Sequence, residues 1–116
     1  MRVNHISDKF LSLLGLCHKA GKLASGSVQC ENAIKSGKAS LVIISEEASE
    51  STVKEFSHLC LSKNVDYITV GTKDQLGGAI GKESRTILAV LDKAFAEMLL
   101  KKYNEIRHGG DREWQR

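Results

Sequence analysis

A chain of 116 residues is the size of one domain and long enough to bury a core. No apolar run approaches the roughly 20 residues of a membrane helix, so a membrane protein of the helical kind is excluded. The formal charge of +3 is modest but uneven, six Lys/Arg against two acidic residues within residues 1–40, a balance compatible with nucleic acid without requiring it.

The apolar period then predicts the elements in order. Phe10, Leu11, Leu14 and Cys17 recur at helical spacing, giving a first helix over residues 8–18 that Gly21 stops. A short extended piece, Lys22 to Ser25, leads into a second helix opened by Gly26. Val28, Cys30, Ala33 and Ile34 form its expected inner face, and Gly37 its C-terminal cap. Leu41 to Ile44, flanked by Ser40 and Ser45, is a continuous apolar run of the kind a strand covered on both faces needs, and it is expected at the centre of the sheet. A third helix is predicted from Ser49 to Lys63, with Val53, Phe56, Leu59 and Cys60 inward, followed by a strand over Asp66 to Val70. Thr72 with Gln75 three residues on is a capping-box pattern for a helix reaching about Ile80. Thr86 to Leu91 is a last buried strand, and Asp92 caps a helix with Ala94, Phe95, Met98 and Leu99 on one face.

Helices and strands therefore alternate, which predicts an α/β protein built as a three-layer α/β/α sandwich. Residues 1–103 read as a single domain and residues 104–116 as a polar, frayed tail in which Trp114 is a loosely packed aromatic. The first residues lack the apolar stretch and cleavage site of an export signal. Three cysteines without framework spacing suit a reducing, cytoplasmic setting.

Constellations that would indicate catalysis or a metal do not assemble. Cys17-His18 and His58-Leu59-Cys60 lack the short Cys-to-Cys spacing of a structural zinc site, and Cys17, Cys30 and Cys60 all fall on apolar helical faces, where cysteine acts as a small hydrophobe. Glu46 and Glu47 are adjacent loop residues, better read as solvated residues before a helix than as an acid/base pair. Leu76 to Ser84 superficially resembles a phosphate loop, but a Walker A motif needs glycine at Leu76 and Ser or Thr at Glu83. No cofactor, metal or catalytic residue is expected, and the chain reads as a non-enzyme.

An anion site reads more clearly. The first turn of a helix leaves amides unpaired, the macrodipole favours negative charge, and Gly26 with Ser27 would let a nucleic-acid backbone approach closely. Gln29 and Asn32, three residues apart on one face, each offer a donor and an acceptor to a base edge. Lys22, Lys35 and Lys38 are candidates to neutralise phosphates, with lysines expected near the free amides. The loop carrying Lys82, Ser84 and Arg85 is expected on the same side of the sheet.

Taken together, Gly26 to Ile44, the turn Ser45-Glu46-Glu47-Ala48-Ser49, Asn64-Val65 before a strand, Leu76 to Lys82, and the early Leu14-Gly15-Leu16 and Lys19-Ala20-Gly21-Lys22 runs resemble the L7Ae/L30e family of ribosomal proteins, above all its bacterial YlxQ-like branch. The resemblance covers roughly residues 8–102. It implies a mixed four-stranded sheet and, as in many members, binding of kink-turn RNA, a sharply bent duplex with tandem sheared G·A pairs. In those members a Gly-x-Asn-Glu-x-x-Lys pattern opens the second helix. Gly26 matches its glycine, whereas Val28, Gln29 and Asn32 stand at the Asn, Glu and Lys positions. Gln29 retains an acceptor, Val28 loses the polar contact, and the second contact loop, apolar in many members, is here Lys82-Glu83-Ser84-Arg85, suited to phosphates. The expectation is a cytoplasmic, monomeric, ribosome-associated protein that binds kink-turn or ribosomal RNA, with ribosomal or RNA-processing proteins as further partners. The alternative is a protein-interaction module that kept the sandwich and lost specific RNA readout.

Overall fold

Leu41 to Ile44 is buried at every position, so this four-residue strand must be covered on both faces, and the helices on either side of it do so. The structure is a computed structural model and describes residues 6–109. Its elements are α1 (Asp8–Lys19), β1 (Leu23–Ser25), α2 (Ser27–Lys35), β2 (Leu41–Ile44), α3 (Glu50–Lys63), β3 (Asp66–Thr69), α4 (Lys73–Ala79), β4 (Ile87–Val90) and α5 (Lys93–Gly109). The strands form one sheet in the order β1-β4-β2-β3, with β2 parallel to β3 and β4 antiparallel to both of its neighbours. The sheet is therefore mixed and four-stranded, and β2 shares its centre with β4.

The two-residue period of the strands sorts the core into two halves. Leu41, Ile43, Leu88 and Val90 point to one face, where Phe10 and Leu14 of α1, Leu76 of α4 and Leu99 of α5 pack on them. Val42, Ile44, Ile87 and Ala89 point to the other, against Cys30, Ala33 and Ile34 of α2 and Phe56 and Cys60 of α3. Three helices thus cover one side and two the other, which completes the α/β/α sandwich.

Local signals set most boundaries. Ser7, Ser49 and Thr72 cap α1, α3 and α4 by accepting from the amides of Phe10, Thr52 and Gln75, and Gln75 closes the capping box on α4. Asp92 caps α5 through the Phe95 amide at 2.9 Å.

Two inner faces depart from the periodic reading. On α5 the buried residues are Ala96 and Leu99, with Phe95, Leu100, Tyr103 and Ile106 packed against the core, while Met98 is exposed. Phe95 and Leu99 of the expected face thus lie inward, while Ala96 takes the buried place expected of Ala94 and Met98, which are exposed. On α2, Val28 is 70% exposed rather than inward. α5 also runs on to Gly109, beyond the expected domain limit at residue 103, and Ile106 packs against the core. Trp114 lies outside the described residues.

Candidate nucleic-acid interface

The strand register determines which loops meet. Leu23, Val90 and Leu41 lie side by side at one end of the sheet, and Ser25, Leu88 and Ile43 two residues nearer the other. That second end, called the upper end below, gathers Gly26, the loop before β4 and the turns after β2 and β3.

At Gly26 the chain turns out of β1 with φ 94° and ψ 157°, and its amide donates to the Ile87 carbonyl at 3.1 Å. An added Cβ would meet nothing within 4 Å, so glycine is required here by the dihedral angle, not by crowding. No side chain caps α2 and its first turn holds no acidic residue, whereas the other four helices are capped by Ser7, Ser49, Thr72 and Asp92. The amides of Ser27, Val28 and Gln29 therefore keep their positive potential, and these three residues are exposed.

The loop of residues 81–86 stands beside this terminus because α4 and β1 both hold it. Lys82 N–H donates to the Gly77 carbonyl at 2.9 Å, and Arg85 N–H to the Lys73 carbonyl at 3.0 Å. Gly77 makes the fit possible: a Cβ there would lie 1.8 Å from the Glu83 carbonyl oxygen. Arg85 then reaches across to β1, its Nε donating to Ser25 Oγ at 3.3 Å and its Nη1 to the Ser84 carbonyl at 3.0 Å. Arg85 is half-buried and acts first as a clasp between the loop and the residue preceding Gly26. Lys82 and Ser84 are exposed.

Ser45 anchors the same end from beneath. It is fully buried, its hydroxyl donates to the Gly71 carbonyl at 3.1 Å, and its Oγ accepts from the Glu47 amide at 3.0 Å. Glu47 in turn accepts the Lys73 amide at 2.9 Å, so its carboxylate supports the start of α4 rather than the helix that follows it in sequence.

The structure thus brings together Gly26, Ser27, Gln29, Lys82, Ser84 and Arg85. It does not place Lys22, Lys35 or Lys38 with them. Lys22 precedes β1 at the lower end, where its carbonyl accepts from Leu91 N–H at 2.8 Å; Lys35 ends α2; and Lys38 follows it. A nine-residue helix separates the two ends by about 13 Å at ~1.5 Å per residue. Lys35 is also paired, 2.8 Å from Glu31, whose hydrogen bond and charge raise the lysine's pKa. Asn32 lies between the ends. With Gln29, Ser36 and Lys38 it lines a groove of about 360 Å³ floored by Ala24, Ala33 and Leu91.

Val28, Ser25, Ser45 and Gly77 are the contributors that the pattern reading passed over. Val28 had a usable signal: residues three and four further on, Glu31 and Asn32, are polar, so the helical period puts Val28 on their face and not with Cys30, Ala33 and Ile34. Ser25 and Ser45 act through partners distant in the chain and had none.

The buried cysteines hold no reactive thiolate. Burial raises Cys17 and Cys60 to about 11 and Cys30 to about 12. Among the described residues no three His, Cys, Asp or Glu side chains gather to hold a metal, and no helix is long and apolar enough to cross a membrane.

The chain is an α/β/α sandwich in which the glycine-started α2, capped by no side chain, is clasped to the loop carrying Lys82 and Arg85. Residues 8–100 match the ribosomal protein L7Ae/L30e/S12e/Gadd45 family, and the chain belongs to it. It is 37% identical over 92 residues to the RNA-binding protein YlxQ of Bacillus subtilis strain 168, an alignment spanning 79% of this chain and 92% of the relative. A structure of a Bacillus halodurans C protein of unknown function superposes with a TM-score of 0.83 at 36% identity, over 85% of this chain and 100% of that one. The Giardia lamblia 15.5kD RNA binding protein shares the fold, with a TM-score of 0.69 at 19% identity over 87% of this chain and 90% of that one.

Proposed function

We propose that this protein is a non-enzymatic binder of structured RNA, acting in the cytoplasm as a monomer on kink-turn-like or ribosomal RNA and in association with the ribosome, with ribosomal or RNA-processing proteins as further partners. The observation that carries the proposal is the uncapped α2 terminus at Gly26, held against the Lys82–Arg85 loop by the Arg85–Ser25 hydrogen bond. Family membership and the RNA-binding relative support the same reading.

In this reading a backbone phosphate sits over the amides of Ser27 to Gln29, where Gly26 presents no side chain and the helix dipole is not neutralised. Lys82 and Ser84 meet a second phosphate across the kink. Gln29 accepts from, or donates to, the edge of an unstacked base, and Asn32 extends that polar face one turn further along α2. Val28, exposed in the first turn, offers an apolar contact to the face of a base. RNA with splayed bases suits such a surface better than a regular duplex, whose narrow major groove admits no side chains.

Titration of a kink-turn RNA and of a plain duplex of equal length at one fixed salt concentration tests this. The kink-turn should bind roughly 5- to 150-fold tighter, since one good base contact discriminates by about 1–3 kcal/mol. Equal affinity would refute kink-turn recognition, and no binding to either RNA would refute the RNA-binding reading. A protein partner retained after nuclease treatment, with no RNA affinity, would favour the interaction-module alternative.

A further inference from the structure

We propose that the groove beside α2 is a second RNA-contact track, ending at Lys22 and Lys38, that takes the phosphodiester backbone of a stem flanking the bend. This rests on the RNA-binding reading and extends it from the upper end of the sheet to the lower.

The groove begins where the upper platform ends. Gln29 belongs to both, and Asn32, Ser36 and Lys38 continue along it in that order. The angular spacing of a helix puts residues 29, 32 and 36 on one ridge, so a strand that starts on the first turn of α2 meets two amides and then the Ser36 hydroxyl, which donates to the Ala33 carbonyl at 3.3 Å and so can accept from a 2′-hydroxyl, before it reaches the Lys38 ammonium. Such groups bond to phosphate oxygens and 2′-hydroxyls without regard to base identity. The floor is Ala24, Ala33 and Leu91, small or flat enough for a backbone to lie against. Lys38 lines the far end, and the Lys22 backbone stands beside it, its carbonyl accepting from the amide of the lining residue Leu91.

Charge distinguishes this edge of α2 from the opposite one. No carboxylate lines the groove, and Asp92, next to Leu91, is engaged with the first turn of α5 through the Phe95 amide. Lys22 and Lys38 are exposed and in no ion pair among the described residues. Lys35 behaves differently: it turns to Glu31, and Glu55 of α3 also stabilises its charge. Of the three lower lysines, Lys38 lines the groove, Lys22 stands at its end without an ion pair among the described residues, and Lys35 is held by Glu31.

Length sets the kind of RNA. The track is about 13 Å long, and a duplex presents a phosphate every ~3.4 Å of axis on each strand, so it matches about four base pairs of continuous stem. A stem trimmed to two base pairs on that side of the bend would stop short of both lysines.

The test uses a kink-turn RNA whose two flanking stems are eight base pairs each, and two shortened versions in which one stem or the other is cut to two. Affinity is measured across a salt series for the wild-type chain and for Lys22→Gln, Lys38→Gln, Lys35→Gln and Gln29→Ala. With full stems, Lys22→Gln and Lys38→Gln should each flatten the log–log salt slope by about one unit, the release expected for one phosphate contact, while Lys35→Gln leaves it unchanged. Cutting one of the two stems should abolish both lysine effects, and cutting the other should preserve them. Lysine effects that ignore stem length, slopes unchanged by Lys22→Gln and Lys38→Gln, or an equal loss for Lys35→Gln would each overturn the track. If Gln29→Ala still weakens binding in those cases, only the track fails. If the wild-type chain binds none of the RNAs, the RNA-binding reading fails with it.

Discussion

Replacing Gly77 and its neighbour Gly78 by alanine should shift stability in opposite directions, although helix propensity alone predicts the same gain for both. Each glycine sits inside α4, where alanine is favoured over glycine by about 1 kcal/mol. Gly78 is exposed and an added Cβ meets nothing within 4 Å, so Gly78→Ala should realise most of that gain. At Gly77 the new Cβ would lie 1.8 Å from the Glu83 carbonyl oxygen and 2.9 Å from the Ser84 Cα. Reaching an ordinary contact of 3.4 Å requires the loop backbone to retreat by about 1.6 Å, and no flexible side chain stands there to absorb the move. That retreat breaks or stretches the Lys82–Gly77 and Arg85–Lys73 backbone bonds, each worth about 1 kcal/mol net. Overpacking of this kind typically costs about 1–3 kcal/mol, which outweighs the propensity term. Gly77→Ala should therefore be less stable than wild type by about 1–3 kcal/mol and Gly78→Ala more stable by about 0.5–1. Urea unfolding of the three proteins, with unchanged m-values, reads the difference directly. A gain in both variants would refute the close packing of the loop on α4. If the loop contacts RNA, Gly77→Ala should also weaken RNA binding at temperatures where it remains folded, and Gly78→Ala should not.

Gly26→Ala forces a residue with a Cβ into φ 94° and ψ 157° and should cost about 1–3 kcal/mol by urea unfolding while weakening RNA binding; unaltered stability would mean that the turn relaxes without strain. Ser45→Ala removes the acceptor of the Glu47 amide and, from the buried hydroxyl, one of the donors to the Gly71 carbonyl, and should cost about 1–3 kcal/mol; a neutral result would show that Ser45 does not anchor the upper end. The buried thiols ionise only near 11 to 12, above their usual 9.0, so the folded chain holds these protons longer than the unfolded one. Their contribution is therefore complete below about pH 9 and is lost as pH rises towards 11 and 12, at up to ~1.4 kcal/mol per unit and thiol. Cys17→Ala should flatten the alkaline fall of the urea midpoint, and an identical pH profile would refute that assignment.

What the sequence made legible was whatever depends on near neighbours. The buried run Leu41–Ile44, the capping box at Thr72 and Gln75, the Asp92 cap and the inward cysteines all follow from patterns a few residues long, and all are present. The upper end of the site was half legible. Gly26 and the Lys82–Arg85 loop were readable as anion-receptive segments on one side of the sheet, but the bond between Arg85 and Ser25 spans 60 residues and has no local signature. The lysines show the reverse error. Lys22, Lys35 and Lys38 lie within a few residues of α2 in sequence, yet proximity along a helix or strand becomes distance along its axis, so they stand a helix length from the Gly26 amides. Val28 went astray through hydrophobicity, because an apolar side chain was read as inward although its helical angle placed it with Glu31 and Asn32.

The antiparallel pairing of β1 with β4 explains why the upper end can act as one unit. Gly26 leaves β1 with its amide on Ile87, the first residue of β4, and the loop that enters β4 is held to β1 by Arg85. Neither segment can therefore move without disturbing the same two strands, and β4 lies inside the sheet, bonded on both sides. A platform fixed in this way loses little conformational entropy when a ligand orders against it, which favours affinity without requiring many base contacts. This is consistent with a chain that carries Val28, Gln29 and Asn32 where many relatives by resemblance carry Asn, Glu and Lys. Under the proposed RNA-binding reading, rigid presentation of amides and phosphate-binding groups would select an RNA by the shape of its backbone, leaving the side chains on α2 to tune the choice.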